Sequence, residues 1–168
     1  ESLYAEIKKL SKREAKSEIK KEVKSIMKED KEKDLSSRQN KAEGAILSLI
    51  LSDINVYTNY KDILTLDFFD NPLHKEILSK IIEAYNMGEV IEPSYIINSF
   101  DENQSGKIAS IIGKELNFEK NLEGAKDLIR TVKLEKIQKQ IDKASMENDV
   151  FTLQRLLNVQ KQLKGGAN

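Results

Sequence analysis

Residues 121–166 decide the fold of this chain, and they read NLEGAKDLIRTVKLEKIQKQIDKASMENDVFTLQRLLNVQKQLKGG. The first part contains no Pro and carries apolar residues at helical spacing: Leu128, Val132, Leu134, Ile137, Ile141 and Ala144. A break at residues 146–149 precedes a second apolar run, which carries Val150, Leu153, Leu156, Leu157 and Leu163 and ends at Gly165-Gly166. The pattern predicts a long helix followed by a return helix, together forming a terminal helical hairpin.

The last helix of this hairpin has more apolar surface than the hairpin needs. One face of it suffices to pack on the long helix, and an adjacent face is left over, with the large aromatic Phe151 near the turn. Leftover apolar surface on a small protruding element usually marks an interface. We therefore predict a partner-binding surface made of Ile137, Ile141, Met146, Phe151, Leu156, Val159 and Leu163. The alternative is that both faces pack within the chain itself.

Composition limits the classes of function. The 168 residues allow one domain, or one domain with an appendage. Lys and Arg balance Asp and Glu, 28 against 28, so no global charge draws the chain to nucleic acid or an anionic membrane. There is no Cys, hence no disulfide and no thiolate metal site. Two Pro and seven Gly among many Lys, Glu, Ile and Leu predict an all-α protein.

The chain falls into three predicted parts. Residues 1–39 are dominated by Lys and Glu, and we interpret them as an exposed helix and a solvated linker. A basic nucleic-acid arm is the less favoured alternative for this part. Residues 40–120 form a predicted helical bundle, and residues 121–168 form the long helix and the hairpin.

The bundle contains the clearest local signals. Asn40 is a plausible N-cap with Glu43 as its capping-box partner, and Asn71 caps a second helix that begins at Pro72. Gly88 supplies a left-handed stop for that helix. The aromatic residues have helical spacing and apolar neighbours, which favours a place in the core over a base-stacking platform for nucleic acid. They are Tyr57, Tyr60, Phe68, Phe69, Tyr85, Tyr95 and Phe100.

No convincing catalytic constellation is present. His74 is the only His, so a His-based metal site or triad within one chain would have to be built around it. Its neighbours Asp67, Asp70 and Glu76 allow a carboxylate–imidazole pair, but a packed histidine in the first turn of a helix is favoured. No Gly-rich phosphate loop occurs. We predict no catalytic, cofactor-binding or metal-binding residue, and no enzyme activity of this chain.

An ordered set of segments carries a resemblance. KAEGAILSLIL (41–51), FFDNPLHKEI (68–77), YNMG (85–88) and LIR (128–130) are followed by the long helix and hairpin. The set is similar to the C-terminal, helicase-binding domain of bacterial replicative DNA primase, over about residues 40–164. ESLYAEIKKLS (1–11) resembles the last helix of the polymerase core of that primase, which makes residues 12–39 a linker. Since the chain begins without Met, we expect a fragment cut just inside that core.

The resemblance implies a function that the patterns alone do not. The expected fragment is non-catalytic and needs no cofactor, because primer synthesis belongs to other domains of the primase. Its hairpin would dock on the N-terminal domains of the hexameric replicative helicase in the bacterial cytoplasm and tether primase to the fork. The bundle would modulate helicase activity. No direct nucleic-acid or membrane binding is expected, and the fragment would be a monomer with at most weak self-association.

Two other interpretations remain open. The first is the N-terminal domain of the replicative helicase itself, which resembles this bundle. The charged segment ahead of the bundle favours primase over it. The second is a generic helical adaptor, which would bind no helicase.

Overall fold

The computed structural model describes residues 17–18, 21–22, 38–113 and 122–166, and within these ranges the regular structure is helical. The chain divides into two units, Glu1–Ser37 and Arg38–Asn168. Residues 17–18 and 21–22 of the first unit are helical. Our other predictions for residues 1–37 lie outside the described residues, as does the start of the long helix near Phe118.

The second unit contains seven α-helices and one 3-10 turn in its described part, which confirms the predicted all-α class. They are α1 (38–52), α2 (Asn55–Tyr60), the 3-10 turn (Leu66–Phe68), α3 (Pro72–Met87), α4 (Pro93–Asn98), α5 (Glu102–Ile112), α6 (Leu122–Met146) and α7 (Val150–Gly165). None of these helices is long and apolar enough to cross a lipid bilayer.

Local capping explains the limits of α3. The side chain of Asn71 accepts a hydrogen bond from the backbone N–H of Leu73 at 2.9 Å, and Pro72 occupies the first turn. Gly88 ends the helix with a φ of 70°. Because that conformation is strained for any residue with a Cβ, glycine belongs there. The predicted cap, start and stop of α3 are all confirmed.

The predicted cap of α1 is wrong. Residues 38–40 are already helical, so Asn40 lies within the helix rather than at its N-cap. Asn40 instead accepts a hydrogen bond from the Asn71 side chain at 2.6 Å. Glu43 is buried and serves the start of α3, as described below.

The core of the bundle surrounds α1. This helix is apolar on nearly all sides, and residues 42–51 are buried without a break. A helix with that pattern belongs at the centre of a fold, where neighbours cover every face. The surrounding side chains come from α2, the 3-10 turn and the residues on either side of it, α3, α4, α5 and the first half of α6. The largest are Leu64, Phe69, Ile77, Leu78, Ile81, Ile96 and Ile108.

The long helix α6 belongs to two cores at once. It has 25 residues and therefore a length of about 37 Å. Ala125, Leu128, Ile129 and Val132 pack in the bundle core, whereas Ile141 and Ala144 pack in a separate, smaller core with Leu156 of α7. Since the two apolar stripes lie on different sides of α6, the helix lacks one dominant apolar face. Its first half completes the bundle, and its second half forms the hairpin.

Two of the predicted core aromatics are exposed. Tyr57, Phe68 and Phe69 are buried as expected, but Tyr85 and Tyr95 present about two fifths of their surface to solvent. They lie near the end of α3 and in the short helix α4, where the covering helices stop. The assignment of these two tyrosines to the core is therefore wrong.

Candidate partner-binding site

The hairpin turn is set by two residues before α7. Asn148 adopts a left-handed backbone with φ of 54°, which Asn tolerates better than most residues. Asp149 then caps α7 by accepting a hydrogen bond from the backbone N–H of Thr152 at 3.1 Å. Hydrogen bonds from Thr152 lower the pKa of the Asp149 carboxyl, so it is ionised at the positive end of the helix. These features return the chain antiparallel to α6.

The seam between α6 and α7 is narrow but closed. Ile141, Ala144 and Leu156 are buried in it, with Ile137 and Leu153 packed at its sides. Further along, the side chain of Gln160 donates to Gln138 at 2.8 Å. Near the end of α7, the Arg130 guanidinium donates to the backbone oxygen of Gly166 at 3.1 Å. The seam thus runs along most of α7.

The seven predicted partner-binding residues divide into two groups. Ile141 and Leu156 are buried in the seam, with Ile137 half-buried beside it, and half-buried Leu163 lines a cleft with Tyr60 and Ile63 of the bundle. Contact between the seam residues and a partner would require the hairpin to open. Phe151, Met146 and Val159 are accessible as the hairpin stands.

The most exposed apolar side chains of the hairpin lie at its turn. Phe151 is 81% exposed, Val150 is 64% exposed and Met146 is 55% exposed, and the three flank the 147–149 turn. We call Met146, Val150 and Phe151 the tip surface. The sequence prediction of partner-binding residues does not include Val150. Its position as the first residue of α7, directly after the turn, is the signal that could have identified it.

A buried carboxylate on α1 lies at the start of α3. Glu43 lies 2.9 Å from Nδ1 of His74, and its Oε1 accepts from the Gln39 side chain at 2.9 Å and from the backbone N–H of Asp70 at 3.0 Å. Burial tends to raise the pKa of Glu43, but hydrogen bonds from His74, Asp70, Gln39 and Asn71 outweigh it and lower the pKa. The carboxylate therefore stays charged inside the protein.

Asp70 connects this buried group to α6. Its carboxylate lies 3.2 Å from Nζ of Lys136 and 3.7 Å from Nζ of Lys139, and it accepts from the Gln39 side chain at 2.7 Å. Lys139 also donates to Gln39 at 2.7 Å. Burial raises the pKa of Asp70, but hydrogen bonds and the two ammonium charges lower it on balance. We call Asp70, Gln39, Lys136 and Lys139 the Asp70 clamp.

The clamp fixes α6 at the point where it leaves the bundle. Lys136 also donates to the backbone oxygen of Asp67 at 3.1 Å and lies 5.4 Å from the centre of the Phe68 ring. Beyond Lys139, the helix packs on α7. These contacts join the middle of α6 to the segment that precedes α3.

The buried polar groups form a hydrogen-bonded network between α1 and the start of α3. His74 is 1% exposed and pairs with Glu43, so the predicted packed histidine is confirmed, but its partner is not Asp67, Asp70 or Glu76. In the described part of the chain, no three His, Asp or Glu side chains are arranged to hold a metal ion. Sequence reasoning missed Glu43 as the partner, because it lies 31 residues before His74 on another helix.

Comparison with known families fits this helical architecture. The model of the DnaB-like helicase N-terminal domain matches residues 35–133, which include α1 to α5 and the first half of α6. The match spans more than half of the chain. Comparisons with curated proteins and with solved structures gave no match. The chain belongs to the family of DnaB-like helicase N-terminal domains.

Proposed function

We propose that this chain is a non-catalytic docking module of the replicative helicase assembly and that it binds its partner through the tip surface. The observation that carries the proposal is the 81% exposure of Phe151 on a hairpin whose seam is already closed by other side chains. Phe151 is not needed to hold α7 on α6. A large aromatic in that position is suited to fill a pocket on another protein, and such anchors supply most of the affinity of an interface.

Two forms of this module have different support. The family match over residues 35–133 favours the N-terminal domain of the helicase itself. In that form, the partner is another copy of the same chain, and the domain contributes to assembly of the ring. The tip surface would then lie in a contact between protomers.

The second form is the helicase-binding domain of a primase. It is supported by the resemblance of residues 41–51, 68–77 and 128–130 to that domain. It is also supported by the charged residues 1–34, which precede the family match. In this form the partner is a separate helicase ring. The module would tether primer synthesis to the fork and raise its effective concentration near the unwound template.

Light scattering after size exclusion tests the proposal and separates its two forms. The chain is measured alone at increasing concentration, and then mixed with a bacterial hexameric replicative helicase. Self-assembly alone supports the helicase form, whereas a monomer that co-elutes with the ring supports the primase form. If the chain neither self-assembles nor joins the ring, the proposal is wrong.

Phe151→Glu tests the role of the tip. We expect this substitution to abolish whichever association is observed, since it places a charge in an apolar contact, while circular dichroism stays helical. Gln154→Glu is the matched control, because it adds the same charge on an exposed position of α7. Equal binding by both variants would remove the tip surface from the proposal. Leu156 is unsuitable for this test, because a charge there opens the seam.

A further inference from the structure

A second exposed apolar surface lies on the bundle, where α3 ends and α4 begins. Val90 is 77% exposed and Met87 is 64% exposed, and the partly exposed rings of Tyr85 and Tyr95 lie in the same stretch of chain. The bundle core does not use these side chains. Because they belong to the bundle and not to the hairpin, the tip surface does not account for them.

Short-range contacts hold this stretch of chain against the bundle. Tyr85 packs edge-on against Tyr57 with ring centres 5.3 Å apart, which holds its ring at the surface. Past Gly88, the backbone N–H of Glu89 donates to the oxygen of Ala84 at 3.0 Å, so the chain turns back on α3. The Tyr95 hydroxyl lies near the Glu89 carboxylate, which raises the pKa of that hydroxyl. Tyr95 of α4 is thus close to the residues that follow α3.

The charge of the surface is negative. The hydrogen bond to Glu89, the charge of Glu89 and the charge of Glu83 raise the pKa of the Tyr95 hydroxyl. Glu92 lies just before α4, and Lys80, paired with Glu83 at 3.3 Å, is the cation on the preceding turn. Acidic residues also outnumber basic ones across residues 38–113 as a whole. Nucleic acid and acidic peptides are therefore repelled here.

We propose that Glu83, Tyr85, Met87, Glu89, Val90 and Tyr95 form a docking surface for a basic segment of a partner protein. An Arg or Lys of that segment lies over a tyrosine ring and is paired by a carboxylate, and a neighbouring apolar side chain covers Met87 and Val90. Exposed aromatic faces attract cations, and carboxylates beside them add to the attraction. Charge complementarity thus selects the occupant that the apolar side chains alone do not specify.

A peptide titration of the whole chain tests this proposal. The probe is a ten-residue peptide in which Arg and Leu alternate, and its control is the same peptide with Glu in place of Arg. We expect saturable shifts of the backbone amide signals of residues 83–96 with the Arg peptide, weakened by salt, and none with the Glu peptide. The absence of saturable shifts at these residues, or equal shifts with both peptides, overturns the proposal.

Variants then identify the groups responsible. Tyr95→Ser and Glu89→Gln should each weaken binding of the Arg peptide by about tenfold or more, while Tyr95→Phe should keep most of it. Phe151→Ser at the tip should leave the titration unchanged. Wild-type affinity in both Tyr95→Ser and Glu89→Gln contradicts the proposal. Two further results would also contradict it. The first is a shift of the signals of residues 83–96 when the chain is concentrated without peptide, which would assign the surface to self-association. The second is saturable binding of a single-stranded oligonucleotide at these residues.

Discussion

Glu43 shows how one side chain organises the inside of the bundle. It lies in α1, yet its carboxylate accepts hydrogen bonds from the backbone N–H groups of Asp70 and Asn71 at the start of α3 and pairs with His74 one turn later. The start of a helix exposes unsatisfied N–H groups, and a negative charge there is favourable. Glu43 therefore acts for α3 as an acceptor supplied by a different helix.

We expect Glu43→Ala to destabilise the bundle by about 3 kcal/mol, because it leaves the buried His74 and two partly buried backbone donors without their acceptor. Urea unfolding followed by circular dichroism measures the change. Glu76→Ala on the exposed side of α3 is the control, with an expected effect within about 0.5 kcal/mol. A loss below about 1 kcal/mol for Glu43→Ala would show that water or a rearranged side chain replaces the carboxylate.

The lowered pKa of Glu43 also predicts a pH dependence. A carboxyl whose pKa is lower in the folded state than its ordinary value of 4.5 stabilises the fold at pH values above 4.5. That contribution is lost as pH falls below 4.5 and through the folded pKa. We expect the urea midpoint to fall on acidification below about pH 5, and Glu43→Gln to flatten this fall. An equally steep fall in Glu43→Gln would assign the acid sensitivity to other carboxyls.

Contacts between residues that are distant in the sequence are the feature that sequence patterns predict least well. Asn71, Pro72 and Gly88 are local signals, since each one acts on its own backbone within a few residues, and all three are predictable. Glu43 and His74 meet only because α1 and α3 pack together, 31 residues apart. Read locally, Glu43 fits a capping box, and the longer-range pairing has no signature in a single sequence.

At the scale of elements, α7 is held by much less buried surface than α1 or α3. Leu156 is its one buried residue in the described part of the chain, and the core that it joins is small. Segments with few buried contacts open more easily than the centre of a fold. Backbone amides of α7 should therefore exchange with solvent faster than those of α1.

Leu156 and Leu157 offer a matched pair for testing this hairpin core. Leu156 is 7% exposed and Leu157 is 45% exposed. Leu156→Ala should cost the hairpin about 2–3 kcal/mol, and Leu157→Ala less than about 1 kcal/mol. Hydrogen exchange of α7 amides measures both, with the amides of α1 as an internal reference. Equal effects of the two substitutions would mean that the seam is not the source of hairpin stability.

The elements themselves follow largely from periodicity, but their faces do not. The apolar spacing predicts α6 and α7 and the turn between them. It does not show which stripe of α6 contacts the bundle and which contacts α7, because both stripes have helical spacing. For the same reason, buried Leu156 and exposed Phe151 both appear among the predicted partner-binding residues, which remain a prediction as a set.

For the molecule as a whole, the Asp70 clamp decides how the hairpin is attached to the bundle. Apart from the buried amide of Gln39, the clamp consists of partly exposed charges, with the Asp70 side chain 50% exposed. Ion pairs of this kind contribute little to global stability and weaken as salt increases. We therefore expect them to affect the orientation of α6 more than the stability of the fold.

Asp70→Asn should therefore lower stability by no more than about 1 kcal/mol, and by less at high salt. Thermal melting at low and high ionic strength measures this, with Asp67→Asn as the control, since Lys136 contacts only the backbone oxygen of Asp67. Backbone amide signals of residues 133–140 should shift in Asp70→Asn and not in the control. Salt-independent destabilisation would show that Asp70 acts through its hydrogen bond with Gln39.

Because α6 is one continuous helix, a force on the hairpin turn is transmitted along it to the bundle at the Asp70 clamp. From Lys139, α6 extends about 10 Å to Met146. A partner that pulls the turn sideways therefore exerts a torque at Asp70. Asp70 directly precedes Asn71, the N-cap of α3, and its backbone N–H donates to the Glu43 carboxylate. A sideways load on the hairpin turn would consequently strain the start of α3, which belongs to the bundle.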